Sequence, residues 1–227
     1  ILPDDYVAQM AAAAHEVGAL MVLDCIASGC VWVDMAATGV DVLISAPQKG
    51  WSASPSAGVV VLSPAGEARL AETASNSFAL DLKKWRAIME AYEKGGHAYH
   101  ATMPTDAIVG FHDAMAETQA MGFEAAKAAQ WALGRAVRAL LAEKGVPSVA
   151  AEGFQAPGVV VSYTGDPEVQ NGAKFRAEGL QIAAGVPLQV GEGPEFKTFR
   201  LGLFGLDKLK DVDGTVARLK RAVDAVL

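Results

Sequence analysis

Asp41 to Leu62 reads DVLISAPQKGWSASPSAGVVVL, and the fold turns on this stretch. Two short aliphatic runs, Val42–Ile44 and Val59–Leu62, flank a segment of Ser, Pro, Gly and Ala that carries a single lysine, Lys49. Runs this short and this apolar predict strands buried on both faces. The connection between them is too short for a helical crossover, so the second strand is expected to run antiparallel to the first. Lys49 then leaves the C-terminal end of a strand, the edge at which open α/β sheets bind ligands. A lysine against an apolar wall can have its pKa lowered, which suits it to form an imine with a carbonyl. Taken alone, a loop lysine is equally a solvated surface residue.

Upstream, Pro3, Asp4 and Asp5 mark the start of a helix over YVAQMAAAAHEVG that Gly18 ends. Ala19–Leu23 (ALMVL) predicts a buried strand with Asp24 at its C-terminal end. A strand, a connection through CIASGCVWVDMAATG and a second strand form half of a βαβ unit, which implies a parallel sheet. Asp24 and Lys49 therefore end successive strands. A carboxylate at a strand end, largely out of water, needs a cationic partner to stay ionised. A protonated pyridine nitrogen would serve, and so would a simpler role in capping the turn that follows.

Downstream, Pro64–Ala71 reads as a short helix, and Leu80–Lys94 as an amphipathic one with Leu82, Trp85, Ile88, Met89 and Tyr92 on one stripe. GGHAYHATMPT is a polar, Gly-containing loop. A long helical region covers Thr105–Met121 and Phe123–Glu143, broken near Gly122 and closed by Gly145. Beyond Val146, strands at Gly158–Tyr163 and Thr198–Leu203 alternate with helices at Gln170–Gly179 and Leu206–Leu227. The expected organisation is an α/β unit with a mostly parallel sheet over residues 1–125, then a smaller α+β unit over residues 126–227.

The composition, 52% hydrophobic and 20% charged, excludes disorder. A net charge of −7 gives no electrostatic footprint for nucleic acid, and no apolar run reaches membrane-spanning length. Cys25 and Cys30 are too few for a zinc cage. A reduced, cytoplasmic protein is the expectation. The chain opens on Ile1 rather than Met, which reads as part of a longer polypeptide.

LDCIAS followed by SAPQKGW, then YHATMPT, then FRLGLFG resembles the class V branch of the fold-type I pyridoxal-phosphate enzymes. The similarity is greatest to the alanine–glyoxylate and serine–pyruvate aminotransferases, and it runs from about Pro3 to the C-terminus. The resemblance implies that Lys49 forms the imine with pyridoxal 5'-phosphate and that Asp24 pairs with the pyridine nitrogen. Ile26 would pack on one ring face and Gln48 would reach the phosphate. Tyr99 and Thr102 match residues that contact the phosphate of the neighbouring subunit, which implies a homodimer. Arg200 matches the arginine that binds the substrate α-carboxylate. Pro47 and the late position of Gly58 depart from the family's pattern, and both lie in the loop that controls substrate access. The family's small-residue phosphate cup and its ring-stacking aromatic are not found in this chain, so part of the cofactor site is expected elsewhere. GEGPEF (Gly191–Phe196) is a weak look-alike for a phosphate loop and reads better as a turn.

The roles are chemically consistent. A carboxylate at the ring nitrogen keeps the ring an electron acceptor, the lysine acts as general base, and a guanidinium fork orients the substrate. The expected activity moves an amino group between a small amino acid (alanine or serine) and a 2-oxo acid (glyoxylate or pyruvate). The rivals are a phosphoserine or aminoethylphosphonate aminotransferase, a desulfurase-like lyase, and a non-catalytic dimerisation module; Cys25, in a strand-end run, reads as a small hydrophobe rather than a desulfurase nucleophile. Trp32, Trp85, Met35 and Met89 are expected in the core, and Trp51 either at the substrate entrance or packed under its loop.

Overall fold

The computed structural model describes residues 1–227. Pro3, in an extended conformation, precedes α1 (Asp4–Glu16), whose first turn holds Asp4 and Asp5 at the positive end of the helix dipole. Strand β1 (Val22–Asp24) begins later than the aliphatic run predicts. The Ala19 N–H closes back on the Ala14 carbonyl at 3.0 Å, and both backbone groups of Met21 are taken by Asp41. After α2 (Met35–Thr38), capped by Asp34, β2 (Val42–Ser45) pairs parallel to β1, and Asp24 stands opposite Ile44. β3 (Val59–Leu62) runs antiparallel to β2, as the short connection demands.

Burial corrects the sequence reading. No residue of these strands is buried, and Val22, Val60 and Val61 are 52%, 38% and 45% exposed. The runs have the composition of two-sided burial, but this chain does not cover them.

α3 (Pro64–Glu72) starts on a Ser63 cap with Pro64 in its first turn, and α4 (Leu82–Glu93) starts on Asp81. In α4, Leu82, Trp85 and Ile88 are half-buried, while Met89 and Tyr92 point to solvent. Met89 is therefore not a core residue, because the helix packs against α3 on one side only. α5 (Thr105–Met121) and α6 (Phe123–Glu143) are separated at Gly122, whose φ of +91° no side-chain-bearing residue readily adopts. No helix is long and apolar enough to cross a membrane.

The remaining elements are β4 (Val159–Tyr163), α7 (Pro167–Gln170), α8 (Ala173–Ala177), β5 (Ala183–Ala184), β6 (Thr198–Gly202), α9 (Leu206–Leu209) and α10 (Val212–Val226). They form an antiparallel sheet in the order β4-β6-β5. The expected helix over 170–179 is two short ones, split where Gly172 enters the left-handed region at φ +78°. The expected helix from Leu206 is likewise split, because the Asp211 carboxylate accepts the Gly214 N–H and starts α10 afresh. The main core lies between this sheet, α6 and α10. Leu133, Val137, Val160, Phe175, Phe199 and Val223 fill it, with the Phe175 and Phe199 rings 5.7 Å apart. Cys30, from the connection after β1, joins it.

At the N-terminal edge of the first sheet, the buried Asp41 carboxylate accepts hydrogen bonds from the Met21 N–H (2.8 Å), the His15 imidazole (2.8 Å) and the Ser63 hydroxyl (3.2 Å). Burial alone would push its pKa up. The bonds from His15, Met21 and Ser63, with the imidazole charge, outweigh burial and hold it below the ordinary aspartate value. A depressed folded pKa adds stability that is present above the unfolded value of about 3.9 and is lost as pH falls through the folded one. Asp41→Ala should cost about 2–3 kcal/mol at pH 7 by urea unfolding, since it strands three donors. The deficit relative to wild type should shrink as the pH is lowered past 4, roughly. An equal deficit at pH 7 and pH 3 would show that the carboxylate charge is not what stabilises the clamp.

Candidate active site

The parallel pairing of β1 and β2 aligns their C-terminal ends. Cys25 continues the ladder, its N–H donating to the Ile44 carbonyl at 2.8 Å. Asp24 is exposed, not sequestered from water as the sequence reading has it, because β1 is itself uncovered. Its Oδ1 accepts the Ile26 N–H at 2.8 Å, so the carboxylate does cap the following turn. Oδ2 makes no protein hydrogen bond and remains available to a ligand. Ile26 is half-buried behind that cap.

Lys49 stands on a tight turn beyond β2. The Ser52 N–H donates to the Lys49 carbonyl and the Ala53 N–H to the Pro47 carbonyl, both at 3.0 Å. Ser52 takes φ +60°, an uncommon conformation for a residue with a side chain, and it belongs to this turn. The Lys49 side chain is half-buried and its Nζ has no hydrogen bond or ion pair, while Gln48 beside it is exposed.

The two strand-end segments touch through glycine. A Cβ placed on Gly50 would lie 2.4 Å from the Gly29 carbonyl oxygen, so the turn after Asp24 and the turn holding Lys49 meet backbone to backbone. The buried Cys30 thiol faces the Gly50 carbonyl at 3.7 Å. Trp51 stacks on Trp32 (centroids 5.2 Å apart) and meets Phe111 edge-on at 6.0 Å. Trp32 donates its indole N–H to the Phe123 carbonyl at 2.8 Å. Trp51 therefore packs under its loop and ties the Lys49 turn to the junction of α5 and α6.

The other expected site residues are not brought against this pair. Tyr99 is 74% exposed, and its hydroxyl lies 3.3 Å from that of Thr102 on the same loop. His100 anchors that loop, bonding the Phe78 carbonyl at 2.8 Å and stacking on the Phe78 ring at 4.2 Å. Arg200 lies on β6 in the second sheet, where its Nε–H donates to the Ala184 carbonyl of β5 at 2.8 Å. Its terminal nitrogens bond to nothing in the protein. Gly191–Phe196 is a turn, closed by the Phe196 N–H on the Gly193 carbonyl at 3.1 Å.

What the sequence reading missed is the junction itself: Gly29 against Gly50, and the strained Ser52. A glycine directly after the lysine was the available signal.

The sequence profile of the family described as aminotransferase class-V matches residues 5–171. The chain belongs to that family. Class V aminotransferases are pyridoxal-phosphate-dependent enzymes. No curated protein matches the sequence. Among solved structures, the fold is similar to alanine–glyoxylate aminotransferase from Nostoc sp. (TM-score 0.78, 20% identity, 96% of this chain and 56% of that one). It is also similar to an aspartate aminotransferase of subgroup IV from Thermus thermophilus (0.77, 24% identity, 97% and 60%). A third likeness is to pyridoxamine–pyruvate aminotransferase from Mesorhizobium loti (0.74, 21% identity, 97% and 56%). The class V chain thus spans 56–60% of the length of these structures.

The donor set fits the family's cofactor: an unengaged, half-buried amine on one strand end and a carboxylate oxygen free on the next. The cysteines do not add to the site. Burial pushes the Cys30 thiol up to about 11 and raises that of Cys25 as well, which disfavours the thiolate a desulfurase nucleophile needs. Thiol titration at pH 8 should leave Cys30 unmodified until denaturant is added. Modification of Cys30 in the folded chain at the rate of a free thiol would contradict its seat against Gly50.

Proposed function

We propose that this class V chain carries the lysine and the substrate arginine of an aminotransferase that exchanges an amino group between alanine or serine and glyoxylate or pyruvate. The observation that supports the reading is the parallel register, which aligns the end of β1 at Asp24 with the end of β2, from which the chain leads into the turn that carries Lys49. Alanine–glyoxylate and pyridoxamine–pyruvate aminotransferases among the similar structures favour small substrates of this kind.

Asp24, Lys49, Ile26 and Gln48 would hold the cofactor, in a unit comprising residues 1–125. Bound there, pyridoxal 5'-phosphate supplies the electron sink for the pair left when the substrate Cα loses its proton. Asp24 would hold a proton at the ring nitrogen by charge and hydrogen bond. Lys49 Nζ would take the proton from the substrate Cα and deliver it two bonds away, a transfer that needs a mobile amine on a fixed backbone. The tight turn and the Trp51–Trp32 stack supply that fixed backbone. Arg200, in the unit comprising residues 126–227, is held at Nε by the Ala184 carbonyl. That leaves both terminal nitrogens to grip an α-carboxylate as a fork. Tyr99 and Thr102, hydroxyls on an exposed loop, would reach the phosphate of a second subunit in a homodimer, which sedimentation of the protein tests.

Lys49→Ala should abolish the visible absorbance of bound cofactor and all transamination while leaving the circular dichroism intact. Borohydride reduction of the wild type followed by peptide mapping should place the label on Lys49, and a label on another lysine would overturn the assignment. Arg200→Lys keeps the charge and loses the fork. It should lower kcat/KM for amino acids by about 100-fold, the worth of a charge-assisted bidentate contact. Cofactor affinity should stay unchanged, and wild-type kinetics in this variant would remove Arg200 from the site.

A further inference from the structure

Gln130 sits on the inner face of α6 with no water contact at all. A buried primary amide has two donor hydrogens and an acceptor to place. Its Nε2 donates to the carbonyls of Pro157 (3.1 Å) and Leu203 (3.3 Å), just where β4 and β6 begin and end. The same spot is closed by the Leu203 N–H bonding the Gly158 carbonyl at 2.8 Å. With both donors spent on the second sheet, the amide orientation is fixed, and Oε1 must face the other way. It has no hydrogen-bond partner and lies 2.8 Å from the point where a Cβ on Gly29 would stand. Gly29 is the residue that meets Gly50 backbone to backbone. Phe204 seals the junction, its ring 3.4 Å from the missing Cβ of Gly29 and 2.8 Å from that of Gly158.

A continuous contact therefore runs from Lys49 through Gly50 and Gly29 to the Gln130 amide, and on to Leu203, on the same segment as Arg200. An apolar side chain of similar length would fill the space without leaving an acceptor idle. What the amide adds is a fixed position, because two carbonyls of the second sheet determine how far Oε1 stands toward the first.

We propose that Gln130 is a positioning residue that sets the separation between Lys49 and Arg200, and so the span over which one substrate presents its amino group and its α-carboxylate at once. The assignment rests on the roles given above to Lys49 and Arg200. It selects for amino acids as a class: a donor lacking the carboxylate does not bridge the two sheets and is indifferent to their spacing.

The test uses Gln130→Met, which keeps the length and removes both donors, and Gly29→Ala, whose methyl wedges the contact from the other side. Propionate serves as a non-reacting carboxylate, its affinity read by calorimetry on the cofactor-loaded protein. Alanine is compared with ethylamine, the same donor without its carboxylate, in single-turnover reactions. Gln130→Met should weaken propionate binding and raise KM for alanine by about 10- to 100-fold, the usual effect of misplacing a substrate by about 1 Å. The ethylamine reaction and the borohydride label on Lys49 should stay at wild-type level. A purely structural role would lower the melting temperature and depress alanine and ethylamine alike, and that result overturns the proposal, as does wild-type propionate affinity in the variant. If Gln130→Met does not fold, Gly29→Ala decides by the same measurements. A wild type that carries no label on Lys49 overturns the functional reading and this assignment with it. A labelled wild type with indifferent variants overturns this assignment alone.

Discussion

One buried carboxylate holds the register on which the site depends. Asp41 accepts the Met21 N–H with its side chain, while its own N–H donates to the Met21 carbonyl at 2.9 Å and Val42 bonds the same carbonyl. This double engagement fastens the entry of β1 to the entry of β2 before the ladder begins. In a parallel pair, a slip of one residue turns every side chain to the opposite face. Locked at Asp41, the ladder runs to Asp24 opposite Ile44, and the chain must deliver Lys49 a fixed number of residues later. The alignment of Asp24 at one end of the sheet is thus set by an ion-dipole cluster at the other. No propensity in these short strands would specify that alignment alone, since Val and Leu occupy both of them in any register.

Beyond the strand ends, the constraint passes from hydrogen bonds to close packing. Gly50 allows two turns to approach with no side chain between them, since a methyl there would strike the Gly29 backbone, whereas a methyl on Gly29 would press on the end of the Gln130 side chain. The aromatic cluster of Trp51, Trp32 and Phe123 carries the same turn to the start of α6, whose inner face packs in the main core. A loop that would otherwise be the most mobile part of the sheet is therefore held from two directions. That suits the role proposed for Lys49, in which the side chain moves while the α-carbon does not.

Much of this was legible in the residues, and what was not has identifiable causes. Helix starts were readable because caps are local: Ser63–Pro64 and the acidic first turn of α1 announce themselves within a few positions. The strands were readable as strands, but their burial was not, since Val60 looks the same whether or not anything covers it. Asp24 and Lys49 stood out as polar residues closing apolar runs, yet the exposure of Asp24 follows from the uncovered sheet and not from its own neighbourhood. The splits at Gly172 and Asp211 were visible in principle, because glycine and aspartate are a stop and a start signal, and helical periodicity masked them. Gln130 and His15 were illegible. A buried amide and a surface glutamine have the same letter, and only the three-dimensional arrangement supplies Pro157, Leu203 or Asp41 as partners.

The placement of the reacting groups on two separate sheets bears on how such a site distinguishes substrates. In the roles proposed for them, Lys49 and Asp24 serve steps common to any amino acid, whereas Arg200 answers to a group remote from the bond that changes. Structures of this fold carry names as different as aspartate, alanine–glyoxylate and pyridoxamine–pyruvate aminotransferase at TM-scores of 0.74–0.78, so the scaffold itself does not select the substrate. Selection must then reside in side chains that face the gap and in the distance across it. Side chains are individually replaceable. On the proposed reading the distance is held by groups that contact both parts: Cys30 in the main core, the glycine contacts, and one amide on α6. On that same reading, a change in any of these alters every substrate that spans the gap and none that does not. This separates the part of recognition that belongs to amino acids as a class from the part that tells one side chain from another.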